Sequence, residues 1–375
     1  MLNDPGKAIP YNKALDGLRG LAILLVVMSH VQLLHYGWIG VQLFFVLSGF
    51  LITTILLKEK EKQVSLKTKF RNFWARRVLR IFPLYYLYLF FLIIYWWCSG
   101  DLGNQSSNLP WLFTYTFNFS GIFQHNPPHF LTSHLWTLSV EEQFYIFYPF
   151  LVLLCPIKQL RRAASFLVLF SIAFRFLTGQ YLLRSGWPGA EVGAFIYTST
   201  FSHLDAFLLG GSIALFNIYQ LSLRKKYFIF FAMFIIAITY GLSVYLTIRP
   251  GHFSFNDYIT HLGYTPEVVT IQHHVWSYFI LDILFASLLL LLLSPGNLFA
   301  RFFTFAPLVA IGKVSYGMYM IQSGILYAVL SFAHYCGVYN KYFDFLLFLP
   351  VLYVSALILY HAYEKRFLVW KEKFR

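Results

Sequence analysis

Ten runs of about 17–25 predominantly apolar residues follow one another along this chain, at roughly 16–36, 38–57, 81–99, 135–155, 164–182, 200–219, 227–247, 273–293, 308–333 and 344–362. A helix of that length crosses the hydrocarbon layer of a bilayer. In lipid, helices and closed barrels alone satisfy their own backbone polar groups. Composition agrees: only 12% of the 375 residues are charged, about half the share of a soluble domain and too few to coat a water-facing surface. A soluble enzyme, a disordered chain and a secreted disulfide scaffold are excluded. The expected fold class is an all-α integral membrane protein of about ten transmembrane helices, with residues 1–375 as one transmembrane domain. Between Asp101 and Ser133 aromatics come in short bursts broken by Gly121 and Pro127-Pro128. The segment 100–134 therefore reads as an outer loop with room for a re-entrant piece. No small-residue cleavage site follows the first run, which reads as a retained signal-anchor.

The lysines and arginines give the orientation. With a cytoplasmic N-terminus, the inner segments hold Lys7, Lys13 and Arg19, nine basic residues from Lys58 to Arg80, Lys158, Arg161, Arg162, Arg224, Lys225, Lys226, Arg301, Lys313 and five in the tail 363–375. The outer loops hold Arg184, Arg249 and Lys341, and Arg175 falls inside a run. That 25-to-3 split places both termini in the cytoplasm with an even number of spans. The net charge of +14 then reflects positive-inside loops against anionic lipid headgroups. Nucleic acid is not an expected partner, because no basic stretch lies outside short loops. Cys98, Cys155 and Cys336 lie in or beside apolar runs without metal spacing, so neither a disulfide framework nor a metal site is expected. No P-loop, GxGxxG, GxSxG or HExxH pattern occurs.

An ionisable group at membrane depth costs several kcal/mol and is a functional candidate. Arg19 and His30 are eleven residues apart in the first run. That is about three helical turns, so they share one face roughly 16 Å apart. Asp16, three residues before Arg19, can pair with it. The plainer account is a snorkelling arginine and a hydrogen-bonded histidine. Arg76, Arg77 and Arg80 precede Pro83 at the cytoplasmic start of the third span. They serve either topology or an anion site, since guanidinium forks hold phosphates in bidentate geometry. A third cluster, Ser133 to Gln143, opens the fourth span and contains Thr137, Ser139, Glu141 and Glu142. Thr137 and Glu141 are helical neighbours. Adjacent carboxylates diverge, so at most one faces inward. Acidic residues there also suit a helix N-terminus. His203, Asp205, Asp282 and Gln322 read more simply as polar packing groups.

Taken together and in order, these residues resemble the acyltransferase-3 family of bacterial membrane proteins. The resemblance rests on Leu15-Asp-Gly-Leu-Arg19-Gly-Leu-Ala with Arg19 and His30, on Phe44-Phe-Val-Leu-Ser-Gly-Phe-Leu-Ile-Thr53, on Arg76-Arg77-x-x-Arg80, and on Leu135-Trp-Thr-Leu-Ser-Val-Glu-Glu-Gln-Phe144. Later echoes are Asp205-Ala-Phe-Leu-Leu-Gly210, Ile311-Gly-Lys-Val-Ser-Tyr316 and Tyr363-Glu-Lys365. The chain departs from the family pattern at Gln42, often acidic, at Gln322, where a histidine is common, and at Thr137, which keeps a hydroxyl in place of serine. The resemblance implies an O-acyltransferase of the bacterial cytoplasmic (inner) membrane. It would carry an acyl group, most often acetyl, from cytoplasmic acyl-CoA to a hydroxyl of a cell-surface glycan such as lipopolysaccharide O-antigen or its lipid-linked precursor. The chain looks like the stand-alone form, without a fused SGNH domain. No permanently bound cofactor is implied; acyl-CoA is a substrate.

In that reading His30 and Glu141 are the catalytic pair and Arg19, Arg76, Arg77 and Arg80 bind acyl-CoA. Asp16, Thr137, Ser139 and Asp205 support them. An ordinary histidine titrates near ~6.5 and suits general-base work; it would take the acceptor's proton or attack the thioester itself as an acyl-imidazole relay. Glu141 would orient His30 or bind acceptor hydroxyls. The rival classes are a transporter or flippase of glycan lipids and a non-catalytic lipid binder. A transporter more typically shows pseudo-repeats, and the sequence has none.

Overall fold

The computed structural model describes residues 11–121, 129–251, 253–266, 268–294 and 296–374. Lys7, Pro127-Pro128 and Arg375 lie outside them. The described residues are helical, with no strand among them. The main helices are α1 Lys13–His30, α2 Ile39–Glu61, α3 Leu66–Ser99, α4 Trp136–Leu154, α5 Ile157–Arg184, α6 Leu204–Leu215, α7 Leu223–Ile248, α8 His273–Leu292, α9 Ala306–Lys313, α10 Ser315–Tyr335 and α11 Lys341–Leu359. A π-helical turn, Tyr360–Glu364, and a short helix, Lys365–Lys371, follow.

Among the described residues, six helices are long and apolar enough to cross a membrane: Ile39–Glu61, Leu66–Ser99, Ile157–Arg184, Leu223–Ile248, Thr270–Leu292 and Lys341–Phe374. Their outer faces carry exposed rings, with Phe90 at 57%, Phe166 at 66% and Phe228 at 75%. Such surfaces suit lipid rather than water. Other expected spans take different shapes. The first helix ends at His30, where Gln32 adopts φ +56°, rather than running to 36. The run at 200–219 is a 3-10 turn, Thr200–His203, followed by the twelve-residue α6. The run at 308–333 breaks at Val314 into α9 and α10. The third helix begins fifteen residues early, at Leu66, where the Ser65 hydroxyl accepts the Thr68 amide at 3.2 Å and caps it.

The chain forms two compact units, one from residues 1–58 and 154–313, the other from 59–153 and 314–375. In the first, glycines let backbones meet. A Cβ on Gly312 of α9 would overlap the Asp16 carbonyl of α1. One on Gly49 of α2 would overlap Phe207 of α6, and one on Gly210 of α6 would overlap Val46 of α2. Small residues at such crossings are the usual solution where lipid gives helices no hydrophobic drive to associate.

In the second unit α3 is the spine and continues through Pro83. The Tyr316 and Tyr363 hydroxyls donate to the Ile81 and Pro83 carbonyls at 2.6 and 3.3 Å. These bonds tie the stretch of α3 around Pro83 to Tyr316 and Tyr363. Gly100, at φ +75°, ends α3, and the chain then folds back along it. The Tyr85 hydroxyl donates to Leu112 O at 2.7 Å and that of Tyr86 to Phe113 O at 3.0 Å. The Tyr115 ring stacks on Tyr85 with centroids 4.2 Å apart. Tyr85 lies fourteen residues before the end of α3, about 21 Å along its axis.

Candidate active site

The first unit carries the Arg19–His30 pair on α1. Arg19 Nη1 donates to Asp16 Oδ1 at 2.6 Å, the expected one-turn pair. The Tyr11 hydroxyl donates to the other oxygen of Asp16, also at 2.6 Å. His30 is the last residue of α1 and half-buried, not deep within a longer helix. Its Nδ1 lies 2.8 Å from the Val26 carbonyl. A carbonyl only accepts, so Nδ1 carries the proton and the neutral ring keeps its lone pair on Nε2. The helix's own backbone thus selects the tautomer that can take a proton or attack a carbonyl carbon.

Asp205 has a different occupation. Its carboxylate grips Arg175 of α5 through Nη1 at 3.0 Å and Nη2 at 2.6 Å, and takes the Ser171 hydroxyl at 3.1 Å. Both charged side chains are fully buried, and Arg175 also donates to the Ser202 carbonyl. This is an ion pair locking α5 to α6. The signal for it was an arginine inside an apolar run. Asp282 of α8 lies fully buried within reach of the same charges, and neither of its oxygens has a hydrogen-bond partner among the described residues. Gln42 is fully buried, with Oε1 3.3 Å from His203 Nδ1.

The second unit holds the arginine cluster, which lies inside a continuous helix rather than at its start. Arg76 is committed: Nη2 binds Glu59 Oε1 at 2.6 Å, which also receives Lys62, and Nη1 donates to the Phe374 carbonyl at 3.2 Å. Arg77 lies between the rings of Phe73 and Tyr145, at 5.9 and 5.8 Å, within electrostatic reach of Glu142. Arg80 is within electrostatic reach of Glu364 and Tyr316. Each arginine therefore has an acidic neighbour, so the cluster is not a bare cationic patch.

Of the two adjacent carboxylates, Glu142 is buried and Glu141 half-buried. Thr137 is buried; its hydroxyl donates to the His134 carbonyl at 3.0 Å and lies 2.7 Å from the Tyr319 hydroxyl. Ser139 is fully buried and bonds back to Leu135 O at 3.4 Å within α4. Gln322 is fully buried with neither amide atom partnered among the described residues. Sequence reasoning missed Tyr115 and, of the two adjacent carboxylates, chose Glu141 rather than the more buried Glu142. It passed over Glu364 and Tyr316, which lie inside the motifs Tyr363-Glu-Lys365 and Ile311–Tyr316. No group of three or more metal-ligating side chains occurs among the described residues.

Comparison with known proteins bears on this geometry. A family model described as an acyltransferase domain matches residues 12–370. The peptidoglycan O-acetyltransferase OatA of Listeria monocytogenes is 29% identical over 330 residues, covering 83% of this chain and 48% of its own length. The putative peptidoglycan O-acetyltransferase YrhL of Bacillus subtilis is 27% identical over 329 residues, with 83% and 48% covered. A putative O-acetyltransferase of Staphylococcus aureus is 26% identical over 347 residues, with 88% and 52% covered. The chain spans about half the length of these curated relatives. No solved structure matches it significantly. With the family model covering almost all of its length, this multi-pass membrane chain belongs to the acyltransferase-3 family.

Proposed function

We propose that this chain is a membrane O-acetyltransferase. It takes acetyl from cytoplasmic acetyl-CoA and passes it to a hydroxyl of an extracytoplasmic glycan. The observation that carries the reading is the fixed tautomer of His30, in a chain matched along residues 12–370 by an acyltransferase family. The chain crosses the inner membrane ten times with both termini cytoplasmic. The turn Thr200–His203 and α6 together extend about 26 Å, near the thickness of the hydrocarbon layer. In this orientation α1 brings Arg19 in from the cytoplasm and presents His30 about 16 Å further out.

His30 Nε2 accepts the proton of the glycan hydroxyl while that oxygen attacks the thioester carbonyl; the C–S bond breaks and the CoA thiolate leaves to take up a proton. In the relay form Nε2 attacks first, and the acetyl-imidazole then delivers acetyl to the hydroxyl. Arg19, Arg77 and Arg80 serve the acyl-CoA. Arg76 instead ties the end of α2, at Glu59, and the C-terminal segment, at Phe374, to α3. Glu141 binds acceptor hydroxyls. Two relatives are named for peptidoglycan, which favours a peptidoglycan-type acceptor over lipopolysaccharide O-antigen. The test compares O-acetyl content of cell-wall and outer glycans with and without the protein. Loss from the cell-wall fraction alone supports this acceptor, and unchanged acetylation everywhere contradicts the reading.

A further inference from the structure

Nine buried side-chain polar atoms of the second unit have no hydrogen-bond partner among the described residues, and four of them are linked through shared electrostatic neighbours. These four are Nε of Arg77, the hydroxyl of Tyr115, Oε1 of Glu142 and Oε1 of Glu364. They come from four separate stretches: α3, the folded-back segment after it, α4 and the π-helical turn Tyr360–Glu364. Yet they converge. Arg77 and Glu142 feel each other's charge, Tyr115 is within electrostatic reach of Glu142 and Tyr316, and Tyr316 is within reach of Glu142, Glu364 and Arg80. Tyr115 and Glu142 are only 5% and 6% exposed. Buried polar groups are nearly always hydrogen-bonded, so several orphans linked by shared electrostatic neighbours call for a partner from outside the described residues.

The backbone is arranged to keep them there. Tyr115 has φ +54°, a left-handed conformation that bulky residues rarely adopt and that clusters at functional sites. It is held by Gln143, whose amide donates to its carbonyl at 2.9 Å, and by stacking on Phe82 and Tyr85 with centroids 5.1 and 4.2 Å away. Glu364 ends a π turn, a distortion frequent at functional sites. Its carboxylate rests against Gly317, where an added Cβ would lie 2.9 Å from Oε1.

The donor and acceptor count selects the ligand chemistry. Arg77 Nε–H and the Tyr115 hydroxyl can donate, and Glu142 and Glu364 can accept. A bare phosphate would meet two carboxylates, and a cation would meet Arg77 and Arg80. A neutral secondary amide fits both halves, with its C=O toward Arg77 and Tyr115 and its N–H toward a carboxylate. We propose that this cluster binds a secondary amide of the enzyme's substrates. Two sources carry one: the pantetheine arm of acyl-CoA and the acetamido group of an N-acetyl sugar. The inference rests on the acyltransferase reading for its substrates.

The test measures binding to the full chain in nanodiscs, using pantetheine, N-acetylglucosamine and 3′,5′-ADP as separate probes. Tyr115→Phe removes one hydroxyl, and Glu142→Leu removes an acceptor at similar volume. The wild type is expected to bind pantetheine or the sugar, whichever is the source, and each variant to bind it about tenfold more weakly. Binding of 3′,5′-ADP should be unchanged. Because the Tyr115 hydroxyl has no partner among the described residues, Tyr115→Phe should melt no lower than wild type without ligand. The proposal is overturned if neither amide probe binds, if the variants bind both as wild type does, if 3′,5′-ADP weakens in parallel, or if unliganded Tyr115→Phe melts clearly lower. The acyltransferase reading fails separately, if wild type binds neither pantetheine nor 3′,5′-ADP while the sugar response follows the variants.

Discussion

At the scale of single residues the decisive contact is between His30 and a carbonyl of its own helix. Nδ1 is occupied by Val26 O at 2.8 Å, so Nε2 needs no neighbouring acid to fix its tautomer. The arginines divide by their partners. Arg76 and Glu59 are nearly buried, at 14% and 3% side-chain exposure, and removing one member of such a pair costs about 3–5 kcal/mol. Arg76→Ala should therefore lower the unfolding temperature in detergent sharply, while surviving protein keeps its KM for acetyl-CoA. Charge reversal at Arg77 should instead raise that KM in protein that still inserts, with Lys rescuing only partly because it lacks the bidentate fork. Equal KM effects at the two positions would undo the distinction. The candidates Arg19, His30 and the arginine cluster were legible because charge is scarce in an apolar chain. Their partners were not: Glu59 to Arg76, Arg77 to Glu142 and Arg80 to Glu364 are neighbours only after folding.

Helices show the same division between pattern and tertiary context. Length and apolarity marked α2, α5, α7 and α8 in the sequence, because each is apolar along most of its length. The stretch from Leu66 to Arg80 looked like a cytoplasmic loop, since its lysines and arginines mask a helical face that buries Lys69, Asn72 and Phe73. Long basic side chains lay their stems along a helix while the charge reaches for oxygen; Lys69 Nζ finds the Lys60 carbonyl. Close helix crossings give a direct test. Gly49→Ala would drive a Cβ into the Phe207 backbone, whereas a Cβ at Gly103 meets nothing within 4 Å. Gly49→Ala should cost about 1–3 kcal/mol or more, read by thermal unfolding, and Gly103→Ala close to nothing. Equal stabilities would mean that α2 and α6 do not meet through these glycines. In the α5–α6–α8 packing, Arg175→Ala strands the buried Asp205 carboxylate and should cost about 3–5 kcal/mol. Asp282→Asn removes a charge that no described donor holds and should leave the melting temperature unchanged or raised. A large loss from Asp282→Asn would reveal a partner for that carboxylate.

For the whole molecule, the proposed orientation rests on assigning 25 basic residues to the cytoplasmic side and three to the outer side. Reporter fusions after Lys62 and at the C-terminus should both report cytoplasm, and one after Asn104 should report the outside. An outward C-terminus would contradict the even number of crossings and the placing of His30 near the outer face. Losing the His30–Val26 hydrogen bond within α1 costs about 0.5–1.5 kcal/mol, whereas losing a general base costs on the order of 10²–10⁴ in rate. The most direct measurement is the rate of acetyl transfer from acetyl-CoA to glycan by wild type and His30→Ala at matched levels of inserted protein. Normal insertion is expected with a loss of at least about a hundredfold, and His30→Gln should do no better because an amide cannot take the proton. Retention of more than about a tenth of the wild-type rate by either variant would contradict His30 as the base.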